Sequence, residues 1–140
     1  MSVEILEGKF YTPGSARGEL LKSDDPISFW DGLDPATGEI IDRRSDVCGR
    51  KVTGKVLAFP EGIGSSTTSA VLVEAVMTGT NPVAIVNVTT EPILVSGALV
   101  AKELYGTEIP IVSLSPEDFE RLEDGDEVEV DGEKGIVSFI

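Results

Sequence analysis

Between Val56 and Leu114 the chain alternates continuous apolar runs with helix-period runs, and no other feature narrows its fold as much. Val56-Leu57-Ala58-Phe59, Val83-Ala84-Ile85-Val86-Asn87-Val88 and Ile109-Pro110-Ile111-Val112-Ser113-Leu114 read as strands. The second run is apolar at nearly every position, as expected of a parallel strand covered on both faces. A helix is predicted over residues 67–78, where Leu72, Ala75 and Val76 follow the i, i+3, i+4 rule, and Gly79 and Asn81-Pro82 stop it. A second helix begins at Thr89-Thr90-Glu91-Pro92, with proline in a favourable first-turn position, and ends at Gly106. Its face of Ile93, Leu94, Gly97, Ala98, Ala101 and Leu104 is small and apolar, so Gly97, Ala98 and Ala101 are expected to pack closely on a sheet. Strand–helix alternation of this kind implies right-handed crossovers and parallel pairing.

The flanks are richer in strands. Residues 8–21 read as two strands with Pro13-Gly14 as the turn signal between them, and 27–30 (Ile-Ser-Phe-Trp) as a short apolar strand. Trp30 is expected in the core, with Asp31 and Asp34 as turn residues. Residues 39–42 resume a strand, 43–49 form a polar loop, and 51–59 form a strand with Gly54 near its start as a bulge or close backbone approach. Ser115-Pro116-Glu117-Asp118 opens a short third helix, and two strands close the chain as a hairpin over Asp131-Gly132-Glu133-Lys134. The expected fold is α/β, one domain over residues 1–140. The outer strands are expected to form a second sheet or barrel-like layer, giving three layers with the helices on one face.

Composition closes several function classes. The net charge is −14, from 11 basic and 25 acidic residues, which disfavours nucleic-acid binding. Many acids gather near the C-terminus, at Glu117-Asp118, Glu120 and residues 123–127; their spacing fits no EF-hand and reads as a solvated face. No run is long enough to span a membrane, and the first residues lack the pattern of a secretory signal, so a cytoplasmic location is expected. The chain contains no His, which excludes a Ser-His-Asp triad, a His-bound zinc and a phosphorylatable His of its own. Its single cysteine, Cys48, excludes an internal disulfide and a cluster held by its own thiolates, and is expected as a small buried residue.

The stretch Pro60-Glu61-Gly62-Ile63-Gly64-Ser65-Ser66-Thr67-Thr68-Ser69 joins the first core strand to the first core helix. It lacks the third glycine of a dinucleotide fingerprint, the lysine of a P-loop and the trailing glycine of a nucleophile elbow. Its residues suit an ordinary helix cap. They also suit a hydroxyl at a helix N-terminus, where unsatisfied N–H groups and partial positive charge favour an anion or a deprotonated oxygen. A serine base needs several donors and a nearby cation, and the scarcity of Lys and Arg puts that cation outside this chain. Arg43 and Arg44 read as exposed residues that could meet a partner or a carboxylate. Glu91 reads as a dipole complement at the second helix or a strand-end carboxylate facing a cleft.

Ser28-Phe29-Trp30, Asp34-Pro35-Ala36-Thr37-Gly38, Gly54-Lys55-Val56-Leu57, the block from Gly64 to Leu72, and Glu91-Pro92-Ile93-Leu94 with Gly97, Val100 and Ala101 occur in an order that resembles the swivel domain of aconitase X. The resemblance spans nearly the whole chain. It implies a swivelling β/β/α domain, the small subunit of two-chain enzymes or a fused segment of one-chain enzymes. That domain docks on a large aconitase-like chain holding an iron–sulfur cluster on its own cysteines. It further implies that Ser65 is a catalytic base removing a proton α to a carboxylate, or from an equivalent carbon, while the cluster assists loss of the hydroxyl. Gly64, Ser66 and the amides around Thr67 would bind the anionic group of the substrate. Relatives often carry a basic residue where this chain has Ile63, and a His within the stretch Asp46-Val47-Cys48-Gly49. Two dehydrations compete. Ile63, Ser65-Ser66 and residues 91–97 incline the resemblance toward cis-3-hydroxy-L-proline, with 5-phosphomevalonate as the alternative and a non-catalytic binding or regulatory subunit as a further one.

Overall fold

A computed structural model describes residues 4–63 and 67–140. The three apolar runs form β6 (Val56–Ala58), β7 (Ala84–Asn87) and β8 (Ile111–Ser113), paired in parallel in that order. Helices α2 (Thr68–Thr78) and α3 (Pro92–Tyr105) make the two crossovers. The alternation of the parallel strands explains why both their faces are apolar. Leu57, Ile85 and Ile111 join a core with Val71, Leu72, Val76, Leu94, Ala98 and Ala101 of the helices. Val56, Ala58, Ala84, Val86 and Val112 point the other way, into a core shared with Val128, Val130 and Val137. A period-2 strand with no polar face requires a layer on each side.

The second layer comes from the flanking strands. β1 (Ile5–Glu7), β10 (Ile136–Phe139), β9 (Glu127–Asp131) and β3 (Ser15–Lys22) pair antiparallel in succession, and β3 then runs parallel to β6. With β2 (Lys9–Thr12) against β8, the order is β1-β10-β9-β3-β6-β7-β8-β2. This single sheet folds back on itself rather than splitting in two. The tip of the β9–β10 hairpin reaches the far edge, where Gly132 N donates to Gly14 O at 2.7 Å and Gly8 N donates to Gly135 O at 2.8 Å. A Cβ on Gly132 would lie 2.1 Å from Thr12 O, so the closure needs a glycine there. α4 (Pro116–Glu120), capped by Ser115 Oγ accepting from Asp118 N, adds Phe119 to the second core. The predicted α/β fold with three layers is the one observed, but the helices are not all on one face: α2 and α3 pack on the first core and α4 on the second.

Several local expectations are corrected. β2 and β3 flank the Pro13-Gly14 turn but lie apart in the sheet, each with another partner. Residues 27–30 are not a strand: only Ile27 bridges, to Gly62, and α1 (Phe29–Gly32) follows, with Ser28 in extended conformation before it. Phe29, not Trp30, enters the core, its ring 5.9 Å from that of Phe59; Trp30 is 62% exposed. A single helical turn points one of two adjacent aromatics inward and leaves the other outside. Residues 51–55 lie outside β6, with Gly54 in a left-handed turn at φ +71° and its carbonyl close under Gly18. β5 (Glu39–Ile40) finds its partner in β4 (Leu33–Asp34). Cys48 is exposed, and Val47 beside it takes the buried place. Gly97 packs not on the sheet but on α2: a Cβ there would stand 2.8 Å from Ser69 Cα. No helix among the described residues is long and apolar enough to cross a membrane.

Candidate functional site

The three parallel strands end on one edge, and each is followed there by a loop leading to a helix N-terminus. These are Phe59-Pro60 toward α2, Val88-Thr89 toward α3 and Leu114-Ser115 toward α4. In open α/β sheets this carboxyl edge is where ligands bind. The loop from Pro60 is held from two sides. Pro60 O accepts from Val88 N at 2.9 Å and from Thr89 N at 3.0 Å. On the opposite side Ile27 N donates to Glu61 O at 3.2 Å and Ile63 N donates to Ile27 O at 3.0 Å. Asn87, fully buried, braces the arrangement: its Nδ2 donates to Phe59 O at 2.9 Å, and its Oδ1 accepts from Thr90 Oγ1 at 3.2 Å. A buried amide that satisfies groups in two loops fixes their separation.

Of the site residues named from sequence, Gly64, Ser65 and Ser66 lie outside the described residues. Thr67 is at the start of α2, in helical conformation and without a side-chain capping bond; Thr68 behind it is buried. α2 carries no acid in its first turn. Glu91 takes the N-cap position of α3, again without capping through its side chain. Its carboxylate faces the backbone of Gly62, where an added Cβ would lie 3.6 Å from Glu91 Cδ. Glu91 and Thr68 share the walls of one small apolar cavity with Phe29, Phe59 and Leu94. Glu91 thus lies at the start of the second helix, as its reading as a dipole complement expects, with its carboxylate turned toward Gly62.

Two clefts flank the Val88-Thr89 loop. One is bounded by Pro60, Phe119 and the acids Asp24, Glu61 and Glu120. The other, beyond the ends of β7 and β8 and beside β2, is bounded by Lys9, Tyr11 and several hydroxyls. Composition alone could not separate these, because the strand register places Lys9 beside Ser113. The acids near the C-terminus are partly engaged in structure. Burial tends to raise the pKa of Asp124, but the Arg50 guanidinium, at 2.7 Å, and the Lys22 amide outweigh it and hold the carboxyl below its usual range. Asp126 accepts from Glu123 N, and Asp118 meets Arg121. Arg44 pairs with Asp42, whose carboxyl is lowered by the Arg44 amide and side chain.

The iron–sulfur cluster implied by the resemblance does not fit this chain's donors. One cysteine and no histidine cannot ligate it, and Cys48 lies in the loop after β5, with no cluster of three metal-ligating side chains among the described residues.

A parallel β-α-β-α-β unit covered by an antiparallel layer, with its loops gathered at one edge, is the swivelling β/β/α class of domain. A family model of the aconitase X swivel domain matches residues 5–139, and the chain belongs to that family. It is 41% identical to the phosphomevalonate dehydratase small subunit of Methanosarcina acetivorans over 136 residues, covering 96% of this chain and 90% of that one. It is 46% identical to the cis-3-hydroxy-L-proline dehydratase of Pseudomonas aeruginosa over 109 residues, 78% of this chain but 19% of that enzyme. Its structure resembles the crystal structure of Thermococcus kodakaraensis aconitase X (holo-form), with a TM-score of 0.88 at 34% identity, covering 98% of both chains.

Proposed function

We propose that this chain, as one swivel domain, is the small subunit of an aconitase X-type hydro-lyase, inactive alone. It supplies Ser65 as the base of a dehydration completed by a large partner chain that holds the iron–sulfur cluster. The observation that carries the reading is the braced loop at the carboxyl edge. Pro60, Glu61 and Ile63, which lead into Gly64-Ser65-Ser66, are pinned to Val88, Thr89 and Ile27, and α2 begins just after that stretch, at Thr68. In this role Ser65 Oγ takes the proton from the carbon α to a carboxylate. The substrate's hydroxyl leaves with that carbon's electron pair forming the new double bond, and the net loss is water. Ser66, Gly64 and the amides around Thr67 hold the anionic group, aided by the positive end of α2.

For the substrate we place 5-phosphomevalonate first. The Methanosarcina relative is itself a small subunit and aligns nearly end to end with this chain, whereas the match to the hydroxyproline enzyme spans a fifth of its length. The 46% identity to that enzyme keeps cis-3-hydroxy-L-proline as the second reading. Assaying both compounds with the reconstituted two-chain complex decides between them. Ser65→Ala in that complex is expected to lower turnover by about 10²–10⁴-fold, the range for loss of a positioned base. Near-normal turnover would instead make the chain a non-catalytic binding subunit.

A further inference from the structure

The cleft beyond β7 has a chemistry that the serine loop does not use. It measures about 490 Å³, and its polar lining is Lys9, Tyr11, Thr89, Thr90, Ser113 and Ser115. Three elements converge to make it. β2 brings Lys9 and Tyr11 on one side of the strand, β8 brings Ser113 opposite Lys9, and the loop after β7 brings the threonines.

Internal bonding leaves donors over. Ser113 Oγ donates toward Tyr11 Oη at 3.5 Å, so the phenolic proton is not consumed by that contact. Ser115 Oγ accepts from Asp118 N at 3.2 Å, which uses a lone pair and leaves its proton. Thr90 donates to Asn87, which locks it as an acceptor and braces the wall. Lys9 takes part in no ion pair among the described residues, although acids outnumber bases 25 to 11.

None of the described residues lining this cleft is acidic, while the cleft across the Val88-Thr89 ridge holds Asp24, Glu61 and Glu120. A lysine among hydroxyl donors, with no carboxylate among the lining residues, suits an oxyanion better than a cation or an apolar group. Thr89 N donates to Pro60 O, so the cleft adjoins the first residue of the serine loop.

We propose that this cleft is a phosphate subsite, in which Lys9, Tyr11, Thr89 and Ser115 hold the phosphomonoester end of an extended substrate whose reacting carbon lies at the adjoining loop. The assignment rests on the dehydratase reading above and specifies its substrate class.

Two measurements test it. Inorganic phosphate titrated into the full chain at constant ionic strength is expected to give saturable amide shifts at Lys9, Thr89 and Ser115. Lys9→Met should weaken that binding about tenfold, as expected for loss of one charged hydrogen bond. Non-saturable shifts, an equal response to acetate, or unchanged affinity in Lys9→Met would overturn it. In the two-chain complex, Lys9→Met and Tyr11→Phe should raise KM for 5-phosphomevalonate with kcat unchanged, the mark of lost ground-state binding. An unmoved KM, or turnover of cis-3-hydroxy-L-proline alone, would overturn it as well. If Ser65→Ala is inactive while Lys9→Met is unaffected, only the phosphate subsite fails. If Ser65→Ala is fully active while phosphate still binds at Lys9, only the serine reading fails.

Discussion

Thr12 shows how much one hydroxyl can decide. The register between β2 and β8 shifts between Phe10 and Thr12, and the buried Thr12 side chain spans the break. Its Oγ1 donates to Ile109 O at 2.7 Å and accepts from Ile111 N at 2.8 Å. Thr12→Val keeps the shape and removes both bonds, leaving two buried backbone groups unpaired. A loss of about 2 kcal/mol or more is expected in urea unfolding, with Thr12→Ser close to wild type. A valine variant of unchanged stability would show that the hydroxyl does not hold the strand. The sequence marks Thr12 only as a strand residue, because its partners are 97 and 99 positions away. Asn87 likewise reads as the polar end of an apolar strand and proves to be the brace between two loops, because its partner Phe59 O comes from the end of another strand 28 positions away. Phe29 and Trp30 are legible as an aromatic pair, but which of them is buried depends on the single turn of α1.

At the scale of elements, α2 and α3 were readable almost to the residue. Their stops are local, and both end on left-handed glycines, Gly79 and Gly106; of the face read for α3, Leu94, Gly97, Ala98 and Ala101 are buried, but Leu104 is 64% exposed. What α3 packs against was not readable. Gly97 is small because the backbone of α2 passes over it at Ser69, in the first turn after the serine loop. Gly97→Ala should gain helix propensity of about 1 kcal/mol and lose about 1–3 to overpacking, a net destabilisation of about 1 kcal/mol. Because the strain falls on the first turn of α2, turnover of the complex should fall further than stability alone explains. Thermal melts beside kcat measured well below the midpoint check this. Wild-type kcat in a destabilised Gly97→Ala would mean that the turn tolerates displacement.

For the molecule as a whole, Trp30 provides a direct optical check. It is the only tryptophan and is 62% exposed on α1, the element after the Ile27 bridge to the loop. The free chain should emit like a water-exposed indole and be readily quenched by iodide. Emission typical of a buried indole would contradict this placement. Binding of a large partner over the loop edge should shift the emission to the blue.

The parallel core, its two crossover helices and the closing hairpin follow from local pattern: apolar periodicity, caps and turn residues act within a few positions of one another. The absence of histidine and the single cysteine likewise bound the chemistry without reference to any fold. The course of the outer strands could not be read in this way. β2 and β3 are neighbours in the chain and strangers in the sheet, and the layer closes only where Gly132 meets Thr12 and Gly14. The two clefts of opposite character also exist only in the folded chain. Strand pairing brings Lys9 to Ser113 across more than a hundred residues, and the energy of that pairing lies in long-range burial and hydrogen bonding, to which no short stretch of sequence is sensitive.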